Sequence, residues 1–499
     1  GLCGHRPADA VAGATDARNA GGFAIRTAPA GGRGGRGDRL SHGVAGAIPR
    51  GGRWAQAIAA LSVIIAPVWL QTGNILALPS FESLFWLSCV CLITVIFKTG
   101  RTHLWIAVGA VAGVGLLNKP SMLFFGIGLV VGLLLTRQRR HLLDKWLWLG
   151  GAVALAIITP QMIWQAMNGW PTWEFTRQLN RDLMARIPRW LFLVGQALYQ
   201  HPLNVPLWLA GLWWLLFSEK GAPYRVFGWI FLVVLSLLLA AQSKIYYLAP
   251  AFPMLLAAGA VYFERALARR DRRWLAAAIP AALVLGGLAT APLGLPILPI
   301  ERLDGYVRAF TFGALDDIHE VTETWHDQFG WENQAATVAG VFHRLTPEER
   351  ADCAIITGNF GQAGAIDFFG PAYGLPRATS IHQNYFLWGP GPASGNLAIA
   401  YGIGQDFLEV LFEDVEHATT IYCDFCMPFE NDLAVYLCRN LKISLHDAWP
   451  EFRIIAFSNT GVSPEIAARL LQALAHIPLL RMRGQKTRRK RDEPWEDGK

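Results

Sequence analysis

Between Trp54 and Ala291 the chain repeats long apolar runs, and after Glu301 they stop. A membrane-spanning helix needs about 20 mostly apolar residues. Inside a bilayer the backbone must satisfy its own hydrogen bonds, which narrows the choice to helices or a closed barrel. No other feature restricts the fold as strongly. Only 16% of the 499 residues are charged and 53% are hydrophobic, whereas soluble chains carry about 25% charge. The pattern predicts a polytopic α-helical membrane domain followed by a small α/β domain. Residues 1–53 read as an irregular segment rich in Gly, Ala and Arg. Residues 54–300 form the membrane domain, 301–457 the α/β domain, and 458–499 an amphipathic and basic tail.

Nine spans are expected: Trp54–Gln71, Leu84–Phe97, Leu104–Leu117, Ser121–Thr136, Trp146–Ala166, Leu203–Phe217, Phe227–Ala241, Tyr246–Phe263 and Trp274–Ala291. Every second connection is basic: "KTGR", "RQRRHLLDK", "SEKGAPYR" and "ERALARRDRRW". Positive connections stay on the cytoplasmic side. The intervening turns and everything after Ala291 then face outward, which makes the α/β domain extracytoplasmic. The net charge of +7 belongs to these connections and the tail, so no nucleic-acid partner is expected; the tail instead suits membrane lipids. The long outer loop Asn168–Arg189 breaks the charge rule with Arg177, Arg181, Arg186 and Arg189. Cations there suit an anionic lipid or substrate.

The stretch "AAQSKIYYLAPAFP" sets Lys244, Tyr246 and Tyr247 between two apolar runs. A lone lysine at a span end commonly snorkels to headgroups. Lys119 in "LLNKPS" and Glu82 in "LPSFESLFW" fall on the same predicted side, however, and ionisable groups converging there point to a shared site. "CDFC" at Cys423–Cys426 has no second pair at zinc spacing, which leaves a disulfide or plain buried thiols.

Several segments resemble, in order, the bacterial members of glycosyltransferase family 39, relatives of the protein O-mannosyltransferases and of the lipid A aminoarabinose transferase. In the membrane part they are "GVGLLNKPSMLFFGIGLVVGLLL", "TPQMIWQAMNGWPTWEFTRQLN", "HPLNVPLWLAGLWWLL" and "SKIYYLAPAFPMLLAAGAVYFER"; in the soluble part, "FGWENQAATVAGVF", "TGNFGQAGAIDFFGPAYGLP", "HQNYFLWGPG" and "MPFENDLAVYLCR". The resemblance implies a GT-C-type membrane fold in a bacterial plasma membrane. It also implies inverting transfer of a sugar from a polyprenyl-phosphate donor to an envelope glycan, lipid or protein acceptor. A phosphate leaving group calls for cations, and the acceptor hydroxyl for a carboxylate base. By resemblance, Lys244 and Lys119 hold the donor phosphate, Tyr246 or Tyr247 hydrogen-bonds it, and Arg177 and Arg181 are further phosphate ligands. Glu82 matches the family's second outer-loop acid, which helps bind the donor or a divalent metal, and it is the one catalytic candidate. Asn168 stands where many relatives carry histidine, which speaks against a metal ligand there.

The family's first spanning helix and first acidic loop have no counterpart before Trp54, where the acids are Asp9, Asp16 and Asp38. The chain as written is therefore expected to be inactive or nearly so, general-base assistance being worth about 100–10,000-fold. A catalytically impaired relative acting as partner or scaffold is the alternative reading, with a lipid or sugar transporter behind it. In the soluble part, strands are expected at "CAIITG", "ATSI", "NLAIAYG" and "TTIYC", with helices between them. Gly358, Gly361 and Gly364 lack the spacing of a dinucleotide loop.

Overall fold

Proline sets the first break in the bundle. Helix α1 (Arg53–Ile64) and helix α2 (Pro67–Gly73) meet at 64°, because Ala66, ahead of Pro67, is held extended with ψ 124° as residues before proline are. The run expected as one span, Trp54–Gln71, is thus two helices at an angle. The structure, a computed structural model, describes residues 51–182, 188–268, 273–310 and 319–452. Asp9, Asp16, Asp38, Arg186 and the tail from 458 lie outside the described residues, and so does the side chain of Arg181.

The chain continues through α3 (Leu78–Thr99), α4 (Trp105–Asn118), α5 (Met122–Leu134), α6 (Lys145–Met167), α7 (Pro171–Asp182) and α8 (Arg189–Tyr199). Four more apolar helices follow: α9 (Val205–Phe217), α10 (Arg225–Ala240), α11 (Phe252–Ala268) and α12 (Arg273–Thr290). Ile245–Ala251, ahead of α11, is a 3₁₀ turn; Pro250 and Pro253 bring no N–H to a regular α-helical start. Among the described residues five helices are long and apolar enough to cross a membrane, or up to seven if each of two bent pairs is one span. The expected spans Leu104–Leu117 and Leu203–Phe217 correspond to shorter apolar helices, Thr102–Asn118 and Pro202–Phe217.

The basic connections gather at one end of the bundle. Gln138 Nε2 donates to Pro223 O at 3.1 Å, joining "RQRRHLLDK" to "SEKGAPYR", and Phe97, beside "KTGR", lies 5.4 Å from the His141 ring. Glu264, opening the fourth basic connection, accepts from Gly52 N at 2.7 Å and Ala55 N at 3.2 Å. That carboxylate satisfies amides that the start of α1 leaves orphaned. Between the ends, helices meet through glycine. Gly109 on α4 faces Gly150 on α6, and Gly211 on α9 faces Gly259 on α11, each approaching the other helix's backbone too closely for a Cβ. Small residues at such crossings bring backbones into direct contact where lipid supplies no hydrophobic drive.

The C-terminal part begins with α13 (Ile300–Phe310), α14 (His319–His326) and α15 (Trp331–Phe342). Then follow β1 (Cys353–Thr357), α16 (Phe360–Phe369), β2 (Ala378–Ser380), β3 (Leu397–Tyr401), β4 (Phe412–Ile421) and β5 (Leu433–Leu441). The sheet order is β2-β1-β3-β5-β4. β1 runs parallel to β2 and β3, and β5 antiparallel to β3 and β4. β1 and β3 are buried on both faces, as their unbroken apolar runs require. Ile355 and Ile399 meet α15 and α16 on one side, while Ala354 and Ala398 meet Phe407 and Leu408 on the other. The strand expected at "TTIYC" is the end of the longer β4, and β5, across "LAVYLCRNL", is an addition to the expected set.

Candidate functional site

Glu82 lies in the second turn of α3, not at its opening, because the helix begins at Leu78 with Pro79 in its first turn. Lys119 follows α4 in extended conformation, as the residue before Pro120 must, and Ser121 begins the turn into α5. These local constraints aim three side chains at one point. Lys119 Nζ meets Glu82 Oε2 at 2.8 Å, with side-chain exposures of 12% and 4%. The Ser121 hydroxyl donates to Glu82 Oε1, and Asn118 Nδ2 donates to Leu78 O at 3.0 Å, tying the two helix ends. From the third direction Lys119 Nζ lies 4.0 Å from the Tyr247 ring centroid and 5.2 Å from that of Tyr246. The two rings meet edge-on at 4.9 Å. Cation–π contact of this kind strengthens when desolvated.

Four of the expected site residues are thus brought together at the end of the bundle opposite the basic connections: Glu82, Lys119, Tyr246 and Tyr247. Lys119 already has its counter-ion, so the pair is neutral and adds no net positive charge for a phosphate. Lys244 stands differently. It is half-buried at the start of the 3₁₀ turn, and its ammonium has no ion pair or hydrogen bond among the described residues. Its neighbours Gln242 and Ser243 line a small recess together with Arg189, Phe192, Leu238 and Leu239. Gln196 Nε2 fixes the turn by donating to Ile245 O at 2.9 Å. Among the described loop arginines, Arg189 is the one that lines this recess beside Gln242 and Ser243. Arg177 is exposed on α7 and takes no part in this network.

The metal reading does not fit these residues. Glu82 is occupied by Lys119 and Ser121, and the Asn168 amide donates to Trp164 O at 2.8 Å in its own helix. Among the described residues no three His, Cys, Asp or Glu side chains come together as a metal would need.

Two acids escape sequence reasoning because they precede the sheet and share no motif with the span ends. Gln71 Nε2, on α2, donates to Thr324 Oγ1 at 2.7 Å, which docks α14 at the same end of the bundle as the cluster. Glu323 and Asp327 come with it. Burial, followed by the Glu323 and Glu430 charges, pushes the Asp327 carboxyl up to about 6. The folded state therefore holds this proton more tightly than the unfolded chain, and stability falls as pH rises through the window from the usual aspartate range to about 6. Asp327→Asn should raise the thermal midpoint of the detergent-solubilised protein above about pH 7 and leave it unchanged below about pH 4. Because Asp327 keeps solvent access, the gain should stay below about 1 kcal/mol. A gain of equal size at both pH values would dispose of the electrostatic account.

In the α/β domain, two other sequence segments meet at Glu430, which is 2% exposed. Its Oε1 accepts from Asn359 Nδ2 at 2.8 Å, and its Oε2 from Gln362 Nε2 at 3.0 Å and Gln334 Nε2 at 3.1 Å. Phe360 N approaches His382 Nδ1 at 3.3 Å. Burial raises the Glu430 carboxyl against the opposing pull of the three amides, and burial lowers His382 to about 4, leaving it neutral. The Gly358 and Asn359 amides both donate to Gln362 Oε1 at 3.1 and 3.2 Å. The first two N–H groups of this glycine loop are thus spent internally, in keeping with its lack of dinucleotide-loop spacing. In "HQNYFLWG" His382 is buried and Phe386 stacks on Trp449 at 5.7 Å, while Trp388 is exposed.

Residues 50–164 match the family model of dolichyl-phosphate-mannose-protein mannosyltransferase. No curated protein and no solved structure matches the chain. The matched stretch carries α1 to α5 and most of α6, with Glu82, Lys119 and Ser121, and ends before Tyr246. Over that stretch the chain is similar to GT-C-type membrane glycosyltransferases of the mannosyltransferase kind.

Proposed function

We propose that the protein is a multi-pass glycosyltransferase of a bacterial plasma membrane, taking a sugar from a polyprenyl-phosphate carrier to an envelope glycan, lipid or protein. The observation that carries this reading is the position of Glu82 and Lys119. Both lie inside the segment that matches the mannosyltransferase family, and they meet Tyr246 and Tyr247 from outside that segment at one end of the bundle. With the basic connections in the cytoplasm, that end and the α/β domain face outward. Transfer there, with inversion, suits a membrane-bound donor.

The charge distribution divides the work. Lys244, with no counter-ion among the described residues, is the cation for the donor phosphate, and Arg189 across the recess is the second. Lys119 is held by Glu82 and carries the tyrosines in register, so its part in phosphate binding depends on how far Glu82 yields. The α/β domain, docked through Thr324, selects the acceptor.

The test is sugar transfer from a polyprenyl-phosphate mannose in membranes by an active full-length version, one given an intact first helix and acidic loop, with and without Lys244→Ala. Loss of a charge-assisted hydrogen bond of about 1.5–3 kcal/mol corresponds to a fall in donor affinity of about 10- to 150-fold. The fold should survive, since Lys244 supports no ion pair. An unchanged donor affinity at normal turnover would return Lys244 to a headgroup anchor.

A further inference from the structure

We infer that Cys423 and Cys426 are a disulfide-forming pair that cross-links the loop tying α14 to the sheet. The pair sits just after β4, in "CDFC". Cys426 Sγ lies 3.3 Å from Cys423 O. Both press on Gly330, whose φ is +91°: a Cβ there would fall 3.0 Å from Cys423 Sγ and 3.4 Å from Cys426 Cβ. A common contact surface holds the two side chains together.

The other described cysteines cannot compete. Cys353 packs on the α15 and α16 side of the sheet and Cys438 on the opposite side, with β3 between their strands. Strands two apart are about 9.6 Å from each other, too far for a bridge. Cys89 and Cys91 lie on α3. No third ligand approaches the pair, so a metal site is not an alternative among the described residues.

Exposure assigns the order of events. Cys423 is partly exposed, while Cys426 is 6% exposed. The Cys423 thiolate attacks an external protein or glutathione disulfide, forming a mixed disulfide and releasing one thiol. The Cys426 thiolate then attacks Cys423 Sγ and expels the second thiol. Two cysteine protons go to solvent or to the departing thiolates, and the external disulfide takes up the two electrons. Burial and the neighbouring Cys423 raise the Cys426 thiol, which suits a slow structural cross-link and not a catalytic thiol. The loop it closes is a seam: Cys423 N donates to Asn431 Oδ1 at 2.8 Å, and His326 Nδ1, at the end of α14, meets Phe425 O at 2.8 Å. Formation in the cell rests on the outward placement of the α/β domain proposed above, because disulfides persist in oxidising compartments.

The experiment uses the full-length protein in detergent, equilibrated with mixed reduced and oxidised glutathione, acid-quenched, alkylated after denaturation and mapped by mass spectrometry. The Cys423–Cys426 peptide should be lighter by two hydrogens and unalkylated, with Cys353 and Cys438 alkylated. In Cys426→Ser, Cys423 should instead accumulate as the glutathione adduct. Finding both thiols of the wild type alkylated, or each carrying glutathione, overturns the pair. A parallel sample quenched inside cells separates the two readings. Oxidation there supports both, whereas reduction in cells with oxidation in the purified protein upholds the pair and overturns only the outward placement.

Discussion

Glu82→Ala should destabilise the membrane domain by about 3–5 kcal/mol, the usual loss when one partner of a buried ion pair is removed and the other charge stays behind. Lys119 is 12% exposed and has no other acid among its described contacts. The Ser121 hydroxyl loses its acceptor as well. The companion double variant, Glu82→Ala with Lys119→Met, should recover most of that loss, because no buried charge is left unpaired and the aliphatic stem still fills the space beneath Tyr246 and Tyr247. Thermal unfolding of the single and double variants reads the coupling directly. Sugar transfer reads something else: if the pair serves chemistry, the double variant regains its fold but not its activity. Equal destabilisation in single and double variants would show that the pair is weakly coupled and that the burial argument fails.

Gly211→Val should be at least as damaging to assembly of the bundle. A Cβ at Gly211 would strike the Leu255 carbonyl oxygen, and the partner Gly259 stands in the same relation to Leu207. Those atoms are helix backbone, so no rotamer change relieves the overlap and α9 must move away from α11. Overpacking generally costs about 1–3 kcal/mol, occasionally more, and backbone-to-backbone overlap belongs at the upper end. The yield of monodisperse, detergent-extracted protein should collapse. Gly126→Val, at a glycine with open space around it, should extract normally. Similar yields for the two would mean the α9–α11 crossing is looser than its geometry requires.

These two variants also mark what was and was not legible in advance. Apolar length and the alternation of basic connections depend only on local composition, and they placed Glu82, Lys119 and Lys244 on one side. Contact between Glu82 and Lys119 required α3 and α4 to be paired in register, which no window of sequence reports. The same holds for Glu430, whose three amide partners lie 68, 71 and 96 residues away in two separate segments. Individually those segments read as helices with nothing to mark a shared partner.

Proline and distance set what hydropathy and charge counting leave open. Pro67 bends the run Trp54–Gln71 by 64° between two helices, a break that hydropathy does not register because it sums side chains and ignores the missing N–H. Resemblance singles out Arg177 and Arg181 in the long loop, and charge counting has no geometry to rank them. Among the described residues Arg177 is exposed and Arg189 lines the recess near Lys244. Asp327 and Glu323 carry no motif, and only the Gln71–Thr324 hydrogen bond brings them to the cluster.

Sequence alone determined the solvent in which each part of the chain folds and which connections share an end of the bundle, because burial of apolar surface and placement of charge act residue by residue. Tertiary structure alone decided which charges neutralise each other and which stay available. Pairing is a property of distances between helices, and those are set by glycine contacts and proline breaks spread over the whole bundle.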